Sequence, residues 1–152
     1  MTTPTPTKTA TSVSHLGLRV RHLETSKRFY EALGFSEVKR LRVPDGVASG
    51  LLGLTAPIGF EAVYLHNEHF VLQLITFAGY PAPDEPERSM IGAGLTHLSI
   101  AVDDLAQAQA AVSQAGGTVV ADPGGGFACM VRDPEGQLIE LIHSSVRPVP
   151  QG

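Results

Sequence analysis

The chain has 152 residues, of which 43% are hydrophobic, and a formal net charge of −4 at pH 7. This size and composition predict one compact domain or two small, mutually dependent halves, and the acidic balance excludes the basic surface that nucleic-acid binding needs. No hydrophobic stretch approaches the roughly 20 residues that span a membrane. The single cysteine, Cys129, excludes an internal disulfide framework. We therefore expect a cytoplasmic protein that binds neither nucleic acid nor membranes.

The most informative pattern is an internal repeat in which residues 82 positions apart (97 − 15) correspond. Residues 14–20 read SHLGLRV and residues 96–102 read THLSIAV, so that His15 and His97 occupy the same position. Two copies of one unit can meet about a pseudo-twofold axis, and a site on that axis draws equivalent residues from each copy. The repeat therefore indicates where a shared site lies.

Strand and helix periodicities predict the order strand, helix, strand, strand, strand for the first half. Its strands are predicted over residues 15–20, 37–43, 60–66 and 70–77, and its helix over residues 23–33. The last two strands form a hairpin that is expected to turn near Asn67-Glu68. Residues 44–59, with glycine and proline near both ends, form an insertion that accounts for the greater length of this half.

The second half repeats the order, with a predicted helix capped by Asp103 or Asp104 and stopped by Gly116-Gly117. Its strands are predicted over residues 96–102, 118–121, 127–132 and 137–142, and its helix over residues 105–115. The predicted organisation is a disordered tail (1–12), a first module (13–78), a linker (79–94), a second module (95–144) and a second tail (145–152).

The last strands of the two halves also correspond, with Gln73 and Glu140 as counterparts. Because side chains alternate along a strand, their large apolar neighbours are expected to cover the helices. The alternation places four metal-ligand side chains on the opposite, concave face: His15, Gln73, His97 and Glu140. Imidazole nitrogen with amide and carboxylate oxygen suits one divalent ion such as Co, Ni, Mn, Zn or Fe.

Each of these residues alone is more often an ordinary surface or core residue, and the joint pattern carries the metal prediction. The other four histidines lie at predicted turns or strand ends and are expected to be solvated: His22, His66, His69 and His143. By the same alternation Tyr64 shares the face of Gln73, whereas Glu61 points to the helices. Cys129 is expected on the cleft side as a packed lining residue. Further apolar residues are expected to line the cleft wall: Val71, Val131, Leu138 and Ile142.

The chain resembles the vicinal oxygen chelate superfamily, which includes glyoxalase I, methylmalonyl-CoA epimerase, extradiol dioxygenases and bleomycin-resistance proteins. The resemblance covers about residues 13–144 and rests on four stretches: HLGLRV (15–20), FYEALGF (29–35), GLTHLSIAVDDL (94–105) and DPEGQLIEL (133–141). It implies an α+β fold in which two βαβββ modules form a curved mixed sheet around a metal-bearing cleft. Relatives are commonly dimers, so a homodimer that binds a small-molecule substrate is expected.

The order His15, Gln73, His97, Glu140 matches the ligand order of methylmalonyl-CoA epimerase and resembles that of glyoxalase I, which usually has Glu at the second position. The resemblance implies an isomerase, epimerase or lyase that acts through a metal-stabilised enolate on a small oxygen-chelating substrate. In this reading Glu140 also acts as the base, as in glyoxalase I, and Tyr64 is a candidate for orienting or polarising the substrate.

Two other readings stay open. In an extradiol-type dioxygenase His15, His97 and Glu140 would hold iron or manganese and Gln73 would be surplus. In a non-catalytic binder of a drug or metabolite we would expect a deep aromatic pocket, and an aromatic content of 6% without tryptophan weighs against it. The epimerase family has an acidic base after its second strand; here Asp45, in a Pro-Asp-Gly turn, is a loose match and is favoured as a turn residue.

Overall fold

The structure is a computed structural model that describes residues 1–5, 9–87 and 89–149. The predicted tails extend to residues 6–8 and 150–152, which lie outside the described residues. The first half contains β1 (Leu16–Arg19), α1 (Leu23–Ala32), β2 (Ser36–Val43), α2 (Asp45–Leu52), β3 (Phe60–Asn67) and β4 (Phe70–Phe77). The second half contains β5 (Leu98–Val102), α3 (Leu105–Gln114), β6 (Thr118–Ala121), β7 (Ala128–Arg132) and β8 (Leu138–His143), and a short 3-10 helix follows at Ser144–Val146.

The strands form two four-stranded mixed sheets with the same topology, β1-β4-β3-β2 and β5-β8-β7-β6. In each sheet the first strand runs parallel to the last strand, and the other pairs are antiparallel. The predicted α+β class with two βαβββ modules is therefore confirmed. Among the described strands β1 pairs only with β4 and β5 only with β8, so each sheet keeps a free edge at its first strand.

Both halves contribute to one hydrophobic core, in which α1 and α3 meet. The apolar neighbours of Gln73 and Glu140 point into this core as predicted, and they are at most 1% exposed: Leu72, Leu74, Ile139 and Leu141. Gly117 lies where the second half packs against the first, because a Cβ there would come within 2.7 Å of the Phe29 ring. None of the helices in the described parts of the chain is long and apolar enough to cross a membrane.

The loop between β7 and β8 in the second half forms hydrogen bonds with the first half. Buried Asp133 accepts a hydrogen bond from the Tyr30 hydroxyl at 2.7 Å and others from the backbone N–H groups of Glu135 and Gln137. Glu135 Oε1 accepts from the backbone N–H groups of Arg21 and His22, where α1 begins. Burial raises the pKa of the Asp133 carboxyl above its ordinary value, although these hydrogen bonds act in the opposite direction. The loop therefore ties the start of β8 to the start of α1.

The insertion between β2 and β3 contains α2, a helix that the sequence patterns do not predict. Gly46 and Gly50 disfavour a helix by their conformational entropy, and the segment gains its order from tertiary contacts instead. Both oxygens of Asp45 accept backbone hydrogen bonds from the far end of the insertion, at Ile58 and Gly59. Tyr80 closes the same segment, since its hydroxyl donates to the Thr55 carbonyl and accepts from the Thr55 N–H.

Candidate functional site

The face of each sheet that is turned away from the helices, here called the cleft face, carries a row of four paired residues. In the first half Lys39 pairs with Tyr64, Tyr64 with Gln73, and Gln73 with Gly17. Directly paired residues project from the same face of a sheet, so this set (Lys39, Tyr64, Gln73, Gly17) forms the first row. The turn between β3 and β4 lies at Glu68-His69, one residue later than predicted. Tyr64 and Gln73 nevertheless share one face of the sheet, as predicted.

The second half has an equivalent row. Ala121 pairs with Met130, Met130 with Glu140, and Glu140 with Ser99. The second row (Ala121, Met130, Glu140, Ser99) therefore places Glu140 where the first row has Gln73. The repeat thus holds at the level of paired strands and not only in sequence.

The predicted position of Cys129 on the cleft face is wrong. Cys129 pairs with Leu141 and is buried in the core with 2% exposure, and Val131, also predicted in the cleft wall, is completely buried there. The reason is the length of the loop between β7 and β8. Arg132 pairs with Leu138, so the loop has five residues (133–137) instead of the expected four, and one extra residue reverses which face every side chain of β7 occupies. Leu138 and Ile142 lie on the face of Glu140, as predicted.

The first row is held by a hydrogen bond from Gln73 Nε2 to the Tyr64 hydroxyl oxygen at 2.7 Å. This bond directs the Gln73 amide nitrogen toward β3, while its Oε1 atom lies toward β1, where a Cβ on Gly17 would be 3.4 Å away. The His15 ring stands edge-on to the Tyr64 ring, with the ring centres 5.4 Å apart. His15, Tyr64 and Gln73 therefore form one contiguous group, in which the Gln73 oxygen is left available as an acceptor.

In the second row the Ser99 hydroxyl donates to Glu140 Oε1 at 2.7 Å. A serine on the first strand therefore orients the Glu140 carboxylate through one oxygen and leaves the other oxygen to accept from elsewhere. The first half has no such donor, because the position equivalent to Ser99 is Gly17. The counterparts Gln73 and Glu140 are thus oriented from opposite sides. Tyr64 of β3 orients Gln73, and Ser99 of β5 orients Glu140.

The two predicted ligand histidines have the same hydroxyl neighbour. Ser14 Oγ lies 2.8 Å from His15 Nδ1, and Thr96 Oγ1 lies 2.9 Å from His97 Nδ1. When Nδ1 carries the proton and donates it to the hydroxyl, Nε2 keeps its lone pair for a metal ion, and the ring orientation is fixed. The residue pairs SH and TH were present in the repeat, but their significance depends on side-chain contacts that sequence does not show.

Each of the two predicted ligand histidines lines a cavity that also borders the first strand of the other half. A cavity of about 480 Å³ is lined by His15 and residues 98–101 of β5, and one of about 500 Å³ is lined by His97 and residues 16–19 of β1. Within residues 1–5, 9–87 and 89–149, no three His, Cys, Asp or Glu side chains come close enough together to hold a metal ion. His15, His97 and Glu140 are therefore not gathered at one point of a single chain, and their role as ligands stays a prediction.

The donor atoms fit a divalent cation in their chemistry. Two imidazole nitrogens, one amide oxygen and one carboxylate oxygen make up the set, and each has a neighbour that orients it: Ser14 for His15, Tyr64 for Gln73, Thr96 for His97 and Ser99 for Glu140. Nitrogen and oxygen donors of this kind suit first-row transition metals and zinc.

The two other acidic candidates already have partners within the chain. Asp45 closes the insertion through hydrogen bonds from the backbone of Gly59 and Ile58, which lower the pKa of its carboxyl. Asp45 is the first residue of α2 and not the turn residue that was expected, and its carboxylate closes the insertion. Glu61 bonds to Arg40, which also contacts Glu24 of α1, so Glu61 lies on the helix side as predicted.

Comparisons with known proteins agree with this fold. The model of the "Glyoxalase/Bleomycin resistance protein/Dioxygenase superfamily" matches residues 12–141. A protein named "Probable lactoylglutathione lyase, chloroplastic" from Arabidopsis thaliana is 30% identical over 142 residues, which cover 90% of this chain and 37% of that protein. A "Probable lactoylglutathione lyase" from Synechocystis is 27% identical over 137 residues, covering 86% and 94%. The chain spans less than half the length of the plant relatives that it matches.

Solved structures extend the comparison. A glyoxalase family protein from Bacillus cereus superposes with a TM-score of 0.81 at 19% identity, covering 90% of this chain and 95% of the other. Glyoxalase I from Leishmania major gives a TM-score of 0.64 at 24% identity, covering 85% and 84%. At these identities the likeness shows a common fold.

Proposed function

Because the chain belongs to the glyoxalase/bleomycin resistance protein/dioxygenase superfamily, we propose that it is a divalent-metal-dependent enzyme of the glyoxalase type. We assign it lyase, isomerase or epimerase chemistry on a small substrate with two neighbouring oxygen atoms. The relatives named as lactoylglutathione lyases favour the lyase. The observation that carries the proposal is the pair of equivalent rows, which present Gln73 and Glu140 on the cleft faces of the two sheets.

In this proposal a single cation is held by His15, Gln73, His97 and Glu140. A cation bound there supplies Lewis-acid stabilisation of negative charge on a substrate oxygen. Co, Ni, Mn, Zn and Fe all accept such a donor set, so the donors do not distinguish among them.

The chain's own residues supply the proton chemistry. Glu140 has one oxygen engaged by Ser99, and its second oxygen is available to take a proton from a substrate carbon and to return it. The Tyr64 oxygen accepts a hydrogen bond from Gln73, so the Tyr64 hydroxyl proton is free to be donated to a substrate oxygen. Glu140 is therefore assigned as the base, and Tyr64 as the residue that orients the substrate.

We further propose that the active protein is a homodimer. Two features support it: the free edges of β1 and β5, and the fact that His15, His97 and Glu140 do not come together as one group within the described residues of a single chain. A second copy can bring the first row of one chain opposite the second row of its partner. Each of the two sites then takes two ligands from each chain.

The first test is elemental analysis of the untagged protein, together with Glu140→Ala and the control Glu31→Ala, whose side chain is exposed on α1. We expect about one equivalent of metal in the wild type and the control, and loss of metal in Glu140→Ala. Stoichiometric iron with oxygen uptake on catechols would favour the dioxygenase instead. No metal after reconstitution would overturn the enzyme proposal and favour a binding protein.

The dimer is tested by mixing two inactive double variants, His15→Ala/Gln73→Ala and His97→Ala/Glu140→Ala, after partial unfolding and refolding. If each site takes ligands from two chains, a mixed dimer contains one intact site, and metal binding returns to a fraction of the wild-type value. If each site lies within one chain, no mixture regains metal, and the dimer proposal fails while the metal proposal stands.

A further inference from the structure

The cationic side chains on the cleft faces differ in whether they have hydrogen-bond or ion-pair partners within the chain. Arg19 donates to the Tyr80 carbonyl at 2.6 Å and lies 4.6 Å from the centre of the Phe77 ring. Arg132 donates to the Gly136 carbonyl and pairs with Glu87 at 3.3 Å. Both guanidinium groups therefore have partners within the chain.

Lys39 differs from both. Its side chain is exposed, and among the described residues its ammonium forms no ion pair. The ammonium lies near the Tyr64 ring, whose centre is 5.9 Å from Nζ. The neighbouring cation on the same strand, Arg40, contacts Glu24, Glu37 and Glu61. In a chain of net charge −4, a cleft-facing ammonium without a carboxylate partner is a feature that the fold itself does not require.

The Lys39 ammonium and the Tyr64 hydroxyl project from neighbouring positions of the first row. The hydroxyl oxygen is occupied by Gln73, so its proton points to another acceptor. Two donors, one of them charged, thus follow Gln73 along the first row, and a carboxylate is a group that accepts from both. The equivalent positions of the second row are Ala121 and Met130, which offer neither charge nor a donor.

We propose that Lys39 and Tyr64 bind a carboxylate of the substrate, so that the substrate is an anionic oxygen chelator whose charged end lies over the first row. This inference rests on the proposed function, because it assumes that the chelating oxygens bind at the neighbouring metal ligands. Lys39 determines specificity in this scheme, and Tyr64 acts both on the carboxylate and on the orientation of the substrate.

The test compares two chelating probes of equal length, neutral butyrohydroxamic acid and succinic acid monohydroxamate, which ends in a carboxylate. Their binding to the cobalt-loaded protein is measured by titration calorimetry. We expect the carboxylate probe to bind about five- to tenfold more tightly to the wild type, and this preference to fall at high salt.

The variants localise the effect. Lys39→Gln should abolish the preference and Lys39→Arg should retain it. Arg42→Gln is the matched control, because Arg42 lies on the same strand, is exposed, and pairs with Glu61 on the opposite face. Tyr64→Phe should reduce the preference without abolishing it.

Equal binding of both probes to the wild type, or an undiminished preference in Lys39→Gln, would overturn the carboxylate site and leave the proposed function standing. If neither probe binds in a metal-dependent way, the proposed function fails, and this inference fails with it.

Discussion

The two halves share one topology but differ in what their rows present to the cleft. The first row ends in Lys39 and Tyr64, whereas the second ends in Ala121 and Met130. The third position of each row carries a side chain with a metal-binding type of oxygen, which is the Gln73 amide in the first row and the Glu140 carboxylate in the second. The positions that the two halves share are thus suited to a common function such as holding a metal, while the positions that differ give the cleft one polar and one apolar end.

The connections of the halves differ as well. The loop of the second half reaches into the first through Asp133 and Glu135. At the equivalent turn of the first half, Asn67 bonds to the end of its own helix by donating to the Gly34 carbonyl at 2.8 Å. The pseudo-symmetry of the strands is therefore not matched by symmetric linkage.

The largest effect on metal affinity is expected at His15 and His97, which occupy equivalent positions in the repeat. His15→Ala and His97→Ala should each weaken metal binding by at least about 100-fold, because each removes one ligand. His143→Ala, at the end of β8, serves as the control. Competition with a chromogenic chelator measures the affinities. A loss in one variant without a loss in the other would break the equivalence of the halves.

The asymmetric linkage predicts unequal losses of stability. Asp133→Ala should lower the free energy of unfolding by about 3 kcal/mol, since it leaves the buried Tyr30 hydroxyl and two backbone N–H groups without their acceptor. Glu135→Ala should cost about 1 kcal/mol, and Asn67→Ala at most as much. Urea denaturation gives the values. Similar losses from Asp133→Ala and Asn67→Ala would show that the second-half loop is not the main connection.

A smaller effect on metal affinity is expected from exchanging serine and glycine between the equivalent positions Ser99 of β5 and Gly17 of β1. Ser99→Gly removes the donor that orients Glu140 and should weaken metal binding by up to about tenfold. Gly17→Ser offers Gln73 a similar donor. The φ of Gly17 lies outside the left-handed region, and an added Cβ would be 3.3 Å from Ile75 Cδ1, so the end of the Ile75 side chain must shift slightly to admit it. The effect of Gly17→Ser on metal affinity should be opposite and smaller. If Ser99→Gly leaves metal affinity unchanged, the hydrogen bond to Glu140 does not contribute to the site.

The smallest effect concerns the insertion, which the second half lacks. Hydrogen bonds from the backbone hold the pKa of Asp45 below its ordinary value, so Asp45 stabilises the fold above the pKa of an unfolded aspartate. That contribution disappears as pH falls through the lowered pKa of the folded state. The difference in unfolding free energy between wild type and Asp45→Asn should therefore be greatest near neutral pH and should shrink as the pH falls below the pKa of an unfolded aspartate. A difference that grows on acidification would contradict this role.

Much of the fold follows from local sequence signals. Period-two alternation on both sides of Gln73 and Glu140 identifies the buried neighbours correctly, and the helix ends at Gly34 and Gly116 follow from backbone geometry, with φ of 100° and 90°. These features depend on a few neighbouring residues, so sequence is sufficient to predict them.

The errors arise where long-range contacts or a single residue decide the outcome. The face of Cys129 depended on a loop of five residues rather than four, and α2 depends on contacts between the two ends of its insertion. A bulge between Glu37 and Lys39 shifts the register of β2, so alternation alone does not place Lys39 on the cleft face. The hydroxyl partners of His15 and His97 were not predicted, because identifying them requires the positions of side chains.

The reversed face of β7 also decides which sulfur atom an oxidant can reach. The Cys129 thiol is 2% exposed in the core, whereas Met130 occupies the cleft face. Peroxide entering the cleft therefore meets a thioether, and the product is a sulfoxide that reductases can repair. The buried thiol reacts with alkylating reagents only when the core opens, so its rate of modification reports the opening of the shared core.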